Sequence, residues 1–597
     1  MYEGMSTSIK LNFGERLVGY CYSKFRNIGD KLAKTFPKVD RQLEAAGKRI
    51  YGPAYFSTIF FFSLLAGIIS VGFAIILYLI LGTPLTLILL AAPLAVFIFG
   101  LVWPGMSASN LASMLDSEVP YAATYLSVMS TGGIPPYKSL KRLSRGELMP
   151  NLSKAASLAE VDVEVLGNDP VTSLEEMARN LPSEEYRDLI MGYASTLRSG
   201  GDVVHYLLRK TEQIFALRTA KMKIIGERMG MVMESYASVA MMLSLVVYTI
   251  FIISKAMPSE YMTMDVGQFA IFGYIVMPML CGVFIFLADI SQPKYPTGDR
   301  SVYKVFLISM IPGIAFIALF VVPFFIGDPR SLPTSAMMMA LRELLGLEYG
   351  YEVPLGLCFA FLIMFIPPAI AYHLKHKESQ GVFHGITLFL RDLTETRKTG
   401  MSPEKAILTL QDRPYGRFKK YLEKIAKQIS WGIDFRTIYN DFAQRVKDWM
   451  PRAMMFILID AIDVGGGSPE TLDTLAKFAE DLERLEKEKR SALKPLMAVP
   501  YVSALLLIII VVMLVSFMRS LLSIAHMGIA LSEFIQFFLP PVVITAAISG
   551  LLAGKVSNGT LAAGFFHGII MIIASIIAIV ASGHLSLVFF KPLTGGI

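Results

Sequence analysis

Long apolar blocks alternate with polar segments along this chain of 597 residues. Nine blocks hold about 20 apolar residues each, enough to cross about 30 Å of hydrocarbon at 1.5 Å per helical residue. These blocks cover residues 54–81, 85–103, 233–255, 268–288, 305–326, 354–373, 496–518, 535–554 and 561–582. The pattern predicts a polytopic membrane protein with about nine transmembrane helices.

Within the long polar segments, apolar residues recur every three or four positions, a spacing typical of amphipathic helices. The pattern extends from Leu111 to Leu143 and from Phe389 to Leu410. We therefore predict an all-α protein with two cytoplasmic helical-bundle domains. The predicted divisions are a basic N-terminal arm (1–53), transmembrane helices 1–2 (54–103), the first cytoplasmic domain (104–232), transmembrane helices 3–6 (233–373), the second cytoplasmic domain (374–495), and transmembrane helices 7–9 with an external tail (496–597).

The composition agrees with a membrane protein, because 54% of the residues are hydrophobic and only 17% are charged. Basic residues predict the orientation. About 50 of the 55 lysines and arginines fall on one side of the nine-span arrangement, and about five on the other. Since positively charged loops stay cytoplasmic, we expect a plasma-membrane protein with a cytoplasmic N-terminus and an external C-terminus.

The two cytoplasmic domains resemble each other in register. Gly133-Ile-Pro-Pro136 recurs as Gly400-Met-Ser-Pro403 at an offset of 267 residues, and Asp169 matches Asp434 at an offset of 265. Spans two to four recur as spans six to eight. Because each unit has four spans, both copies face the same way, which indicates a parallel duplication.

Glycines and prolines mark the predicted corners of both domains. A glycine with positive φ can end one helix, and a proline can begin the next. The predicted turn residues are Gly133, Pro136, Gly200, Gly201, Gly400, Pro403, Gly465 and Gly466. The stretches after the second turns, Leu207–Met231 and Glu470–Leu493, lead directly into spans three and seven. We therefore expect each domain to be carried on a helix continuous with the membrane.

The sequence lacks the usual signatures of chemistry. It has no GxxxxGK[ST], HExxH or GxSxG motif, and its three cysteines lie far apart. We therefore predict no catalytic, cofactor-binding or metal-binding residue. Glu234 and Asp289 fall at inner ends of spans, where we expect solvent to reach them. A transporter or channel would instead need charged residues at the membrane midplane.

Basic residues flank the glycine-proline turns. They are Lys138, Lys141 and Arg142 in the first domain and Arg397, Lys398 and Lys405 in the second. A solvated face or contact with lipid headgroups would explain them, and so would docking of an acidic partner. The second turn precedes the membrane by about 30 residues, or about 45 Å of helix, beyond the reach of headgroup charge. We therefore predict partner binding at these six residues.

The chain resembles the type II secretion F family, the inner-membrane platform proteins of type II secretion and type IV pilus machines. Gly133-Ile-Pro-Pro and Gly400-Met-Ser-Pro resemble the glycine-x-proline turn of that family. Gly200-Gly201-Asp202 and Gly465-Gly466-Gly467-Ser468 resemble its second glycine turn, although Ser468-Pro469 replaces Asp202. Two domains with nine spans resemble the archaeal branch.

The resemblance implies a non-enzymatic platform that couples a cytoplasmic hexameric secretion ATPase to the assembly of pilin-like subunits. The expected partners are that ATPase, pilin-like subunits and membrane lipid. We further expect a homodimer and no nucleic acid. An archaellum, an adhesive pilus and a DNA-handling pilus remain open as the filament. The alternative function is a transporter or channel with cytoplasmic helical regulatory domains, and a membrane-embedded enzyme is a third possibility.

Overall fold

Helices account for nearly the whole structure. The computed structural model of the chain describes residues 13–48, 50–81, 92–144, 148–256, 264–292, 301–326, 333–379, 381–464, 467–525 and 531–584. Within these ranges it contains α-helices, short 3-10 and π segments, and no strand. The predicted all-α fold is confirmed.

The chain divides into two compact units, and the first comprises Met1–Glu212 with Lys294–Pro296. Three of its helices begin with proline, which suits a first helical position because the N–H it lacks would have no partner there. The helices of this unit are α1 (Phe13–Thr35), α2 (Lys38–Ala45), α3 (Gly52–Leu81), α4 (Ala92–Thr131), α5 (Pro136–Ser144), α6 (Pro150–Glu164), α7 (Pro170–Asn180), α8 (Glu184–Arg198) and the start of α9 (Val203–Ala256).

The second unit comprises Gln213–Pro293 with Thr297–Ile597. After α9 come α10 (Val266–Ile271), a π segment (Phe272–Val276), α11 (Met277–Ser291), α12 (Ser301–Phe316), a second π segment (Ile317–Val321), α13 (Pro323–Ile326), α14 (Pro333–Leu344) and α15 (Glu352–Ser379). The second helical-bundle domain follows, with α16 (Val382–Lys398), α17 (Pro403–Leu410), a 3-10 turn (Gly416–Phe418), α18 (Lys419–Ser430), α19 (Phe435–Arg445), α20 (Trp449–Asp463) and α21 (Pro469–Leu493). A 3-10 turn (Lys494–Met497), α22 (Ala498–Ala525), α23 (Leu531–Phe538), α24 (Pro540–Asn558) and α25 (Leu561–His584) complete it.

Nine helices in the described part of the chain are long and apolar enough to cross a membrane. They cover Gly52–Gly72, Ala92–Thr131, Val203–Lys255, Val266–Ser291, Ser301–Phe325, Glu352–Lys375, Pro469–Arg519, Phe534–Asn558 and Leu561–His584. The predicted number of spans is therefore confirmed. The orientation of the termini remains a prediction.

The helices that lead from the helical-bundle domains into the membrane differ between the two copies. In the first copy, α9 runs for 54 residues, as the sequence predicts. In the second copy, the 3-10 turn Lys494–Met497 separates α21 from α22. Pro495 lies in this turn and has no backbone N–H for the regular hydrogen-bond ladder. The second copy is therefore helical throughout this stretch but has one tighter turn at the membrane entry.

The N-terminal arm packs on the first span. The Ser57 hydroxyl of α3 lies 3.3 Å from the Phe25 carbonyl oxygen of α1 and 2.9 Å from that of Pro53. Span one is in turn joined to span two, because the Tyr55 hydroxyl donates to the Gly100 carbonyl at 2.8 Å. The predicted basic arm thus includes a helix that packs against the first membrane span.

Candidate docking surface

The first glycine turn has the same backbone geometry in both domains. Gly133 has φ +83° and Gly400 has φ +89°, values that glycine adopts readily and other residues rarely. A β-carbon at either position would have nothing within 4 Å, so backbone conformation and not space requires glycine. Pro136 and Pro403 begin the next helices. The turn thus reverses the chain and sets the direction of α5 and α17.

The second glycine turn is described fully in the first domain only, because Gly465 and Gly466 lie outside the described residues. Gly200 has φ +69°, and the Gly201 N–H donates to the Thr196 carbonyl at 2.9 Å. The turn ends in a side-chain cap, since Asp202 Oδ1 accepts the N–H of His205 at 3.0 Å.

Ser468 takes the place of Asp202 in the second domain. Its hydroxyl accepts the N–H of Thr471 at 3.2 Å, the same three-residue spacing as the Asp202 cap. Asp and Ser are both strong N-cap residues. The departure from the family pattern at Ser468 therefore changes the local charge and leaves the capping geometry in place.

In the second domain the two turns touch each other through Arg397. Its guanidinium donates to the Gly467 carbonyl at 2.9 Å from Nε and 2.6 Å from Nη2, and it also donates to the Met401 carbonyl. A β-carbon on Gly467 would lie 3.0 Å from the Pro403 ring. The turns therefore form one end of this domain, as expected for a single docking surface.

Four of the six predicted partner-binding residues are partly engaged within their own domains. Lys141 contacts Glu164 and lies 3.8 Å from Glu160. Lys398 pairs with Glu395 at 2.9 Å and Asp473 at 3.6 Å, and the hydrogen bond to Glu395 raises the pKa of its ammonium group. Arg397 donates hydrogen bonds to both turns of its domain. Arg142 is half-buried and has an interaction of its own.

The remaining two, Lys138 and Lys405, occupy matching positions. Both are exposed, and each is the third residue of the helix that follows the first glycine turn. Their offset of 267 residues is that of the turns themselves. The duplication therefore presents the same positive charge at the same corner of each domain.

Two exposed apolar side chains also match between the domains, and the sequence interpretation missed them. Leu166 is 69% exposed and Trp431 is 67% exposed, and they directly precede Gly167 and Gly432, which both have positive φ. Lys427 Nζ lies 5.5 Å from the centre of the Trp431 ring. The sequence contained a signal for them, because an apolar residue directly precedes a glycine at the same position of both copies.

The caps after these glycines also match. Asp169 accepts the N–H groups of Val171 and Thr172, each at 3.1 Å, at the start of α7. Asp434 accepts those of Arg436 and Thr437 at 3.1 and 3.4 Å at the start of α19. The predicted match between Asp169 and Asp434 is therefore confirmed as a shared helix cap.

Metal ligands do not cluster in the part of the chain that the structure describes, where no three His, Cys, Asp or Glu side chains are placed to hold an ion. The helix corners described above offer exposed charged and apolar side chains. Such an arrangement can bind a protein surface, with the lysines affecting the association rate and apolar side chains adding contact area.

Comparison with known proteins agrees with the duplicated architecture. The family model for type II secretion system (T2SS), protein F matches residues 122–251 and again residues 389–516. An uncharacterized protein of Methanocaldococcus jannaschii is 24% identical over 497 residues, which cover 80% of this chain and 81% of that protein. Flagella accessory protein J of the same organism is 20% identical over 421 residues, covering 69% of this chain and 72% of that protein.

No solved structure gives a significant match. The two matched regions begin in α4 and α16 and end in α9 and α22, so each contains most of a helical bundle and most of the span that follows it. Their offsets are those of the internal duplication. The chain therefore contains two domains that match the type II secretion system protein F family.

Proposed function

We propose that this chain is the membrane platform of an archaeal pilus, archaellum or related secretion machine. In this role it couples a cytoplasmic hexameric secretion ATPase to the assembly of pilin-like subunits. Proteins of the family are non-enzymatic platforms, and one similar protein carries the name flagella accessory protein. The observation that carries the proposal is the matched pair of exposed lysines, Lys138 and Lys405, at the first glycine turns.

Long helices provide the mechanical part of the proposal. The 54 residues of α9 correspond to about 80 Å, and the 25 residues of α21 to about 37 Å. A force applied at the turns that begin these helices reaches the membrane through hydrogen-bonded backbone. The ATPase would push the turns, and the spans would move against pilin-like subunits that lie in the bilayer.

The orientation required by this mechanism is testable by labelling. Because nearly all basic residues fall on one side, we expect Thr594→Cys in a cysteine-free chain to lie outside the cell. A membrane-impermeant maleimide should modify it in intact cells as completely as after lysis. Modification only after lysis would place the C-terminus and both domains on the wrong side for an ATPase.

Docking is tested by reversing the two matched lysines. We expect Lys138→Glu/Lys405→Glu to weaken ATPase binding about tenfold, since exposed charges contribute about 0.2–1 kcal/mol each and reversal adds repulsion. The loss should shrink at high salt, because ions screen such contacts. The measurement is a salt titration of binding between the purified ATPase and the full-length protein in nanodiscs.

A matched control separates docking from net charge. Lys154 and Lys447 are also exposed, one in each cytoplasmic domain and both away from the turns. Lys154→Glu/Lys447→Glu changes the charge by the same amount and should bind the ATPase like the unmodified protein. If both double variants bind equally well, or lose affinity equally, the lysines at the turns are a solvated face and not a docking site.

A further inference from the structure

The inner ends of spans four and eight carry matching sequences with one charge reversed. Ala288-Asp289-Ile290-Ser291-Gln292 ends span four, and Gly554-Lys555-Val556-Ser557-Asn558 ends span eight. The offset of 266 residues aligns two small residues, two β-branched residues, two serines and two amides. Only the second position differs in kind, because it is acidic in the first copy and basic in the second.

These two positions meet in the structure. Lys555 Nζ lies 2.6 Å from Asp289 Oδ1, and it also donates to the Gly559 carbonyl at 2.7 Å. The Lys555 side chain is only 9% exposed. The Asp289 side chain is 38% exposed, so solvent reaches it as expected, and a lysine from the other copy also partners its carboxylate.

Two further contacts join residues that are 266 positions apart, within one residue of the offset of 265 that separates Asp169 from Asp434 and the ends of the two matched regions. A β-carbon on Gly226 of α9 would lie 3.1 Å from the Ala492 β-carbon of α21. One on Gly230 would lie 3.9 Å from Leu496 Cδ2, in the turn that follows α21. All of these residues belong to the second compact unit.

Contacts of this kind have a geometric meaning. In an interface with two-fold symmetry, a residue can touch its own equivalent only at the symmetry axis. One equivalent pair, Asp289 with Lys555, and two contacts within one residue of exact equivalence therefore mark a local pseudo-two-fold axis between helices of the two copies. A single chain thus contains an interface of the type that two identical half-chains would form.

We propose that the opposite charges of Asp289 and Lys555 at this axis make the first copy pair with the second copy of the same chain. Two first copies meeting here would oppose two aspartates, and two second copies would oppose two lysines. Like charges at this partly buried contact would repel, whereas the observed pair attracts. The charge difference therefore favours unlike copies, so any homodimer of the whole chain must use another surface.

The test uses full-length protein with Gly226→Cys and Ala492→Cys as a reporter of the axis contact, because the β-carbons at these two positions would lie 3.1 Å apart. Mild oxidation should join these cysteines within one chain, in contrast to the parent without them. We expect Asp289→Lys, which opposes two lysines, and Lys555→Asp, which opposes two aspartates, each to lower the cross-linked fraction several-fold. The double reversal Asp289→Lys/Lys555→Asp should restore most of it, because attraction returns with the signs exchanged.

The exposed Lys304 provides a control, because Lys304→Asp changes the same charge at the cytoplasmic end of another span. It should leave the cross-linked fraction unchanged. If the single reversals do not fold, only the double reversal is measured. Its recovery as folded, cross-linked monomer supports the proposed role of the Asp289–Lys555 pair. Equal cross-linking in all variants, or a double reversal worse than either single one, would overturn the proposal.

Discussion

Replacing Glu118 with alanine is expected to lower the free energy of unfolding of the first helical-bundle domain by about 3 kcal/mol. Glu118 lies on α4 and is only 1% exposed. Its carboxylate accepts the Leu152 N–H and the Asn151 side-chain amide, both at 2.9 Å, and so caps the start of α6. Alanine would remove this cap and leave the N–H groups buried without an acceptor.

The measurement is denaturant unfolding of the full-length protein, with proteolysis of the first domain as the readout. Glu118→Gln serves as the matched variant, because glutamine keeps the size of the side chain and one acceptor oxygen but lacks the charge that favours a helix N-terminus. We expect it to lose about half as much stability as the alanine variant. Wild-type stability in both variants would show that α6 forms without this cap.

In the second domain, a close contact with a glycine replaces the carboxylate cap of the first domain, and the sequence does not reveal this difference. The position equivalent to Glu118 is Gly385, at the offset of 267. A β-carbon on Gly385 would collide with the Tyr415 carbonyl and lie 2.6 Å from the Phe418 β-carbon. The connecting chain thus packs directly on α16, where the first domain uses a carboxylate. A duplicated pattern predicts that both domains have the same helices. It does not predict whether the helices meet through a side chain, as at Glu118, or through close packing on a glycine, as at Gly385.

Features with a short-range cause could be predicted. The spans follow from runs of apolar residues, and the corners follow from glycines such as Gly133 and Gly400 that need positive φ. The shared caps at Asp169 and Asp434 follow from residue type and register. In each case a few neighbouring residues determine the outcome.

Features that depend on distant residues could not be predicted. Asp289 and Lys555 are 266 positions apart, and only the packing of spans four and eight brings them together. The six basic residues at the turns looked alike in the sequence, yet acidic neighbours engage some of them and leave Lys138 and Lys405 exposed. Which charges remain for a partner is decided by tertiary contacts.

Replacing Arg397 with alanine is expected to destabilise the second helical-bundle domain by about 2 kcal/mol, since hydrogen bonds from a charged donor contribute about 1.5–3 kcal/mol. The Arg397 guanidinium connects the carbonyls of Gly467 and Met401. Without it, the two turns lose their polar connection, and hydrogen exchange at the start of α21 should accelerate. Arg397→Lys should recover less than half of the loss, because one ammonium group cannot reproduce the fork of the guanidinium.

Lys405→Ala is the matched control for Arg397→Ala, and together the two variants separate folding from docking. Lys405 is exposed on the same corner, so we expect its removal to change the unfolding free energy by less than about 0.5 kcal/mol. ATPase binding should weaken in both variants, but a stabilising osmolyte should rescue only Arg397→Ala, whose defect lies in the shape of the corner. Rescue of both, or of neither, would show that the two residues contribute to binding in the same way.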